Sequence, residues 1–328
     1  MKKKSEKEIQ SLLFQKIQAQ LPSNLSLVDE LADLLQVSND SAYRRLRGST
    51  ILSIGEITAI CNHFNISFDL LLGENSNAVL FNYGELHDEH DFHRHLLFIL
   101  SEMELFTRTP DIELTYAAID IPIFHHFDFK ELTAFKIFYW LKSVINAESI
   151  TNSKFSPNFL PAEVFDVCKK IITAYRSIKS TEIWTDATVN SLIKQISYFW
   201  ESGMFESKED ALLICEQAEN EILSIQTIAE ASSKTPSDNN FNLYFSEIEI
   251  GNNSILASSE KYKRAYLSHN TINIIVTTHN SFCGETERWL NNLIKKSTLI
   301  SGTSEKIRYQ FFKRALDNIA SLKNRINE

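Results

Sequence analysis

The sequence predicts a mainly α-helical protein in three parts. These are a five-helix head built on a helix-turn-helix (residues 6–74), an all-helical middle region (88–231) and a small C-terminal α/β (α+β) module (241–328). Three observations predict it. Residues 27–48, LVDELADLLQVSNDSAYRRLRG, read as two short helices joined by a tight turn. From 88 to 231 apolar residues recur at helical spacing, and Pro110, Pro122, Pro157 and Pro161 mark the breaks. After the polar run SSKTPSDNN (232–240) the texture becomes extended and β-branched, as in Leu243, Phe245, Ile248 and Ile250 and again over 271–278.

The head opens with Ile9, Leu12, Leu13, Phe14, Ile17 and Leu21 on one stripe of an amphipathic helix that Pro22 ends. In the next helix Leu27, Leu31, Leu34 and Leu35 repeat at helical spacing. Ser26 is placed to cap it, and Asp29 and Glu30 sit in its first turn, where negative charge is favoured. Ala32 is small enough for another helix to approach, Val37 plugs the turn, and Ser38 caps a third helix whose Ala42 and Leu46 face inward. Left on its outer face are Asn39, Asp40, Ser41, Tyr43, Arg44, Arg45 and Arg47, with Ser38 at the start. This set mixes groups that read base edges with groups that hold phosphates. Ser53 and Glu56 form a capping box opening a fourth helix over 54–64, and a fifth short segment, 67–72, ends at Gly73. The plainer reading is a helical hairpin with a solvated basic face.

VSNDSAYRRLRGST followed by SIGEITAICNHFNISFDLLLG resembles the Xre/Cro-like helix-turn-helix regulators, most closely the BetR-type N-terminal domain, over about residues 8–73. The resemblance implies a repressor-like head that binds double-stranded DNA, with its third helix in the major groove. It implies that Asn39, Asp40, Tyr43 and Arg44 face bases while Arg45, Arg47 and Thr50 face phosphates. One position departs from the pattern. Gln36 stands at the turn where such motifs often carry glycine, so the chain must adopt a left-handed conformation there or bend differently.

The chain has 328 residues, 43% hydrophobic and 23% charged, which suits a globular protein of two or three domains. The opening MKKKSEKE is followed by an amphipathic helix and not by the apolar run of a secretory signal, and stretches such as 96–100 are too short to span a bilayer. Cys61, Cys168, Cys215 and Cys283 occur singly, as buried reduced thiols do in a cytoplasmic protein. The net charge of −9 argues at first against a nucleic-acid partner. Its distribution matters more. Residues 1–75 hold eight basic and nine acidic side chains, and 41–48 hold three arginines and no acid, so the acidity lies in the remainder of the chain.

A linker is expected over 75–87. The middle region shows no 34-residue repeat, so a tetratricopeptide array is not supported. His87, His90 and His93, among acids in ELHDEHDFHRH, have a spacing that can hold a divalent metal, but a solvated first helical turn explains them as well, and no metal or other cofactor is expected. Ser301, Gly302, Thr303 and Ser304, between a short strand and a helix, are a candidate anion or ligand site, or simply a well-capped turn. The aromatic clusters 135–140 and 198–200 read as core, with the lining of a ligand pocket as the alternative. None of the G-x-S-x-G, P-loop or H-E-x-x-H patterns occurs, so no enzymatic activity is expected.

The expectation is a one-component transcriptional regulator, a homodimer on DNA with a small-molecule effector and no membrane partner. The rivals are a cytosolic signalling or adaptor protein whose head binds protein, a ligand or metal sensor that does not touch DNA, and a hydrolase in the C-terminal half.

Overall fold

Four helices make up the described part of the first unit, Met1–Leu80: α1 (Glu6–Gln20), α2 (Leu27–Leu35), α3 (Asn39–Leu46) and α4 (Ile54–His63). The computed structural model describes residues 5–21, 25–64, 66, 68, 78–235 and 240–328. Capping boxes start α1 at Ser5 with Glu8 and α4 at Ser53 with Glu56, satisfying amides that a helix N-terminus leaves free. Ser26 occupies the N-cap of α2, but its side chain makes no capping bond. Leu13, Phe14, Ile17, Leu31, Ala42 and Ile60 close a small core. The fifth helical segment expected over 67–72 lies outside the described residues apart from Phe68.

The second unit, Phe81–Glu328, is organised by one eight-stranded mixed sheet in the order β1-β7-β6-β5-β2-β3-β4-β8. Its strands are β1 (Asn82–Tyr83), β2 (Glu113–Ala118), β3 (Lys179–Trp184), β4 (Phe241–Phe245), β5 (Ser254–Ser258), β6 (Lys263–His269), β7 (Asn273–Thr277) and β8 (Thr298–Leu299). Between them come α5 (Glu89–Arg108), α6 (Ile123–His126), α7 (Lys130–Tyr139), α8 (Ala162–Ser177), α9 (Asp186–Glu201), α10 (Lys208–Ala231) and α11 (Asn280–Lys295), and α12 (Glu305–Asn327) comes after the last strand.

The sheet corrects the expected fold class. The middle region is not all-helical, and the C-terminal strands are not a small separate module. β2 and β3, both from the middle region, pair in parallel, and β2 pairs antiparallel with β5, with Thr115 opposite Leu256. The expected linker 75–87 also supplies the edge strand β1, paired with β7. The physical reason is that an inner strand buried on both faces shows no polar-apolar alternation. β3, KSTEIW, is buried at every position but the first, yet its Ser180, Thr181 and Glu182 are polar. Short runs of this kind leave no periodic signal between long amphipathic helices.

Alternate faces of the strands meet different layers. Ala117, Ile183, Leu256 and Ala265 pack on Cys283, Leu290 and Leu293 of α11. Leu114, Ala118, Trp184 and Ala257 join the large core made with the remaining helices. At its centre Phe135 lies stacked on Phe205, with ring planes 7° apart, and meets Phe155 and Phe199 edge-on. All four cysteines are buried free thiols, and no described helix is long and apolar enough to cross a membrane.

Phe135→Ala is expected to destabilise the second unit by about 3–5 kcal/mol, through lost burial and the cavity left behind. Denaturant unfolding should show that transition shifting while the transition of the N-terminal helices stays in place.

Candidate functional site

The turn between α2 and α3 sets the geometry of the head. Gln36 is left-handed (φ 53°, ψ 47°), its N–H donates to the Asp33 carbonyl (3.3 Å), and the Val37 N–H donates to Ala32 (3.0 Å). This is the helix-ending pattern usually built on glycine, here carried by a glutamine. The Ser38 hydroxyl then accepts from the Ser41 N–H (3.3 Å) to start α3. At the far end Gly48 (φ 67°) is left-handed, and the Ser49 N–H returns to the Arg44 carbonyl (2.8 Å).

Gln10 of α1 anchors the end of α3 and the loop into α4. Nearly fully buried, it donates through Nε2 to the carbonyls of Arg45 (2.6 Å) and Thr50 (2.9 Å), and its Oε1 accepts from the Leu52 N–H (2.9 Å). Sequence reasoning passed over it. The signal was its place on the stripe of Leu13, Phe14 and Ile17, where a polar side chain must find buried partners.

Ala42 is fully buried, and opposite it Ser38, Asn39, Asp40, Tyr43, Arg44 and Arg47 are exposed. Arg44 pairs with Asp40 at 3.1 Å, but with their side chains 67% and 75% exposed the pair costs little to open. The Arg47 guanidinium sits 5.7 Å from the centre of the Tyr43 ring, and the Asn39 amide donates to Asp29 (2.8 Å). Thr50 is half-buried.

Arg45 is placed differently from the phosphate-facing role the resemblance implies. Its side chain is 14% exposed, and Nη2 and Nε donate to Glu56 Oε1 (2.6 and 3.0 Å) while Nη1 donates to the Ser41 hydroxyl (2.6 Å). Burial pushes the Glu56 carboxyl up, but the Ser53 amide and the Arg45 guanidinium outweigh it and hold the group below its ordinary range. Arg45 and Ser41 therefore clamp α3 to α4.

Residues 301–304 form a joint. The Ser301 hydroxyl accepts from the Leu243 N–H (3.1 Å), the Gly302 N–H donates to Ala229 (3.0 Å), and the Thr303 N–H donates to Ser301 (2.9 Å). Arg308 Nη1 donates to the carbonyls of Ile300 and Gly302, both at 3.0 Å. Ser304 stands at the N-cap of α12 without a side-chain capping bond. The amides of residues 301–303 are therefore committed to the fold, as in the plainer reading of a strand-to-helix turn.

In the second unit a cavity of about 450 Å³ lies between α5, α9 and the sheet, around the carboxyl end of β2. Tyr139, Trp140 and Tyr198, from clusters expected to be core, line it. At its wall Asp120 accepts from Lys136 Nζ (2.7 Å), Gln195 Nε2 (3.0 Å) and the Ile121 N–H (3.0 Å). Burial raises the Asp120 carboxyl, and Lys136, His126 and Gln195 together more than offset this.

Two buried histidines stand nearby on α6. His125 Nε2 lies 3.0 Å from Glu182, which also accepts from the Trp184 indole (2.8 Å) and the Tyr175 hydroxyl. His126 Nδ1 lies 2.6 Å from Glu221 on α10. Burial drives this second pair toward neutrality, with Glu221 pushed up to about 8 and His126 well below its ordinary value. His87, of the histidine-rich run, lies 3.3 Å from Asp91, and among the described residues no three metal-ligating side chains converge.

Gln36→Gly should stabilise the head by about 1 kcal/mol, because glycine enters the left-handed region without the side-chain clash. Thermal unfolding measures this, and destabilisation would contradict the turn described. A carboxyl held neutral in the fold to about pH 8 but ionising near 4.5 in the unfolded chain makes stability fall as pH rises through that window. Glu221→Gln is therefore expected to lose less melting temperature than the native chain between pH 5 and pH 8; parallel curves would mean that Glu221 is ionised in the fold. Neither a family model nor a curated protein nor a solved structure matches this chain, so the likeness of the head to helix-turn-helix regulators rests on its own residues.

Proposed function

We propose that the chain is a sequence-specific DNA-binding transcriptional regulator of the one-component kind, reading the major groove with α3. The observation that carries the proposal is the outward face of that helix. Asn39, Asp40, Tyr43, Arg44 and Arg47 stand exposed on a helix whose opposite side is closed by Ala42. Its ends are held by Ser38 and by Gln10. Amide and guanidinium groups form paired hydrogen bonds with adenine and guanine edges, and the surface ion pair of Arg44 opens at little cost. Arg47 suits the phosphate backbone. One short helix covers few base pairs, so two copies on a symmetric site are the working form. The acidity outside the head keeps non-specific attraction low.

Binding of the full chain to duplex DNA across a salt series tests the proposal. Arg44→Ala should cost about 1–3 kcal/mol at the preferred sequence and relax its selectivity. Arg47→Ala should weaken all sequences alike and lower the salt slope by about one. A double variant that binds like the native chain, or binding indifferent to salt, would overturn the proposal and favour a head that contacts protein.

A further inference from the structure

The cavity at the carboxyl end of β2 is built as a binding site, and we infer that it takes an uncharged, ring-bearing, largely apolar small molecule. Such binding belongs to the second unit and holds whichever partner the N-terminal head takes.

The first ground is a break in packing where packing should be tightest. Across three inner strands Tyr116 of β2 lies opposite Ile255 of β5, and Ile255 lies opposite Tyr266 of β6, on one face of the sheet. Strands so central normally bury such side chains completely, yet Tyr116 and Ile255 are only partly buried because they form the cavity floor. Protein interiors rarely leave a void larger than a water molecule. A space of about 450 Å³ is the size of a small-molecule pocket.

The second ground is the chemistry of the walls. The aromatic residues Phe98, Phe106, Tyr139 and Trp140 are among those that line the cavity. Trp140 begins a π-helical turn, Trp140–Ile145, a form of backbone that recurs at functional sites. Each carboxylate at the wall is already neutralised: Asp120 by Lys136, and Glu102 by Arg264 (2.9 Å) and the Tyr266 hydroxyl. Lys194, the remaining lining cation, is exposed. A charged ligand would thus lose its hydration without gaining a buried counter-charge.

Besides the hydroxyls of Tyr139, Tyr198 and Thr271 in its lining, two polar groups of the cavity can orient a ligand. The His95 ring and the Tyr116 hydroxyl both line the cavity, and neither makes a hydrogen bond among the described residues. Burial lowers His95 to about 4, so its ring is neutral near pH 7, with one nitrogen to donate and one to accept. The ligand class that fits carries an aromatic or fused-ring body with one or two neutral polar substituents.

The test uses the full chain and two dyes that differ by one sulfonate, N-phenyl-1-naphthylamine and 8-anilino-1-naphthalenesulfonate. The neutral dye should bind saturably, one per chain, and at least about tenfold more tightly than the anionic one, a difference of about 1.4 kcal/mol. Ile255→Phe, which fills the floor, should weaken the neutral dye by about tenfold or more while the far-ultraviolet circular dichroism is kept. Trp140→Phe should leave the dye bound but lower the energy transfer from tryptophan, the remaining donors being Trp184, Trp200 and Trp289. This second variant locates the site even if Ile255→Phe fails to fold. Absence of saturable binding, equal affinity for the two dyes, unchanged binding to a folded Ile255→Phe chain, or energy transfer indifferent to Trp140→Phe would each overturn the inference.

Discussion

Strand β2 is the constraint on which the larger unit depends. One of its edges accepts β3 in parallel and the other accepts β5 in antiparallel, so among the described strands the parallel set β2-β3-β4 meets the antiparallel set β5-β6-β7 at the β2–β5 pair. A parallel pair needs a long crossover and an antiparallel pair a short return, so the chain places helices between the first three strands and hairpins between the last three. Where the pairing changes kind, the carboxyl end of β2 opens on the cavity, and the adjoining loop supplies Asp120 to its wall. Ligand crevices in α/β sheets lie at such changes of connection.

The polar groups of this interior answer to the same constraint. Glu182, fully buried on β3, is tolerated because His125, Tyr175 and Trp184 all donate to it or lie within bonding reach. Lys136 is buried and held by Asp120 and Gln195 (2.7 and 2.6 Å). Pairs of this sort add little net stability over an apolar core, but loss of one member strands its partner, so they specify one arrangement of helices on the sheet. Among the described residues His126 Nε2 and Glu221 Oε2 are buried without a hydrogen-bond partner, as suits a pair that burial keeps uncharged.

Legibility in the sequence followed the range of the interactions. In the head the helix starts at Ser38 and at Ser53 with Glu56 are local signals, and the departure at Gln36 correctly marked a left-handed residue. Arg45 was read as outward because helical spacing cannot show that Glu56, already engaged in its own capping box, also reaches back to a guanidinium. β3 was hidden because a strand buried on both faces lacks alternation, and β2 because its six residues, ELTYAA, are a short run of mixed character between long amphipathic helices. The cavity was hidden for a further reason: Tyr139, Trp140 and Tyr198 share aromatic character with Phe135 and Phe199, and only tertiary placement separates the rings that line a space from the rings that fill one. Residues 301–304 looked like an anion cradle because strand-to-helix turns share that composition, whereas their amides answer carbonyls of β4 and α10 and within the turn itself.

On the proposed reading α3 binds DNA and the cavity of the larger unit takes a small molecule, and recognition of DNA is the part on which gene control stands. Selection from a random duplex pool by the intact chain at ~0.15 M salt, near the physiological ionic strength, tests it most directly. The account predicts enrichment of one motif with dyad symmetry, its half-sites about 10 base pairs apart or a multiple of that spacing. A selected pool no different in sequence from the input would contradict it.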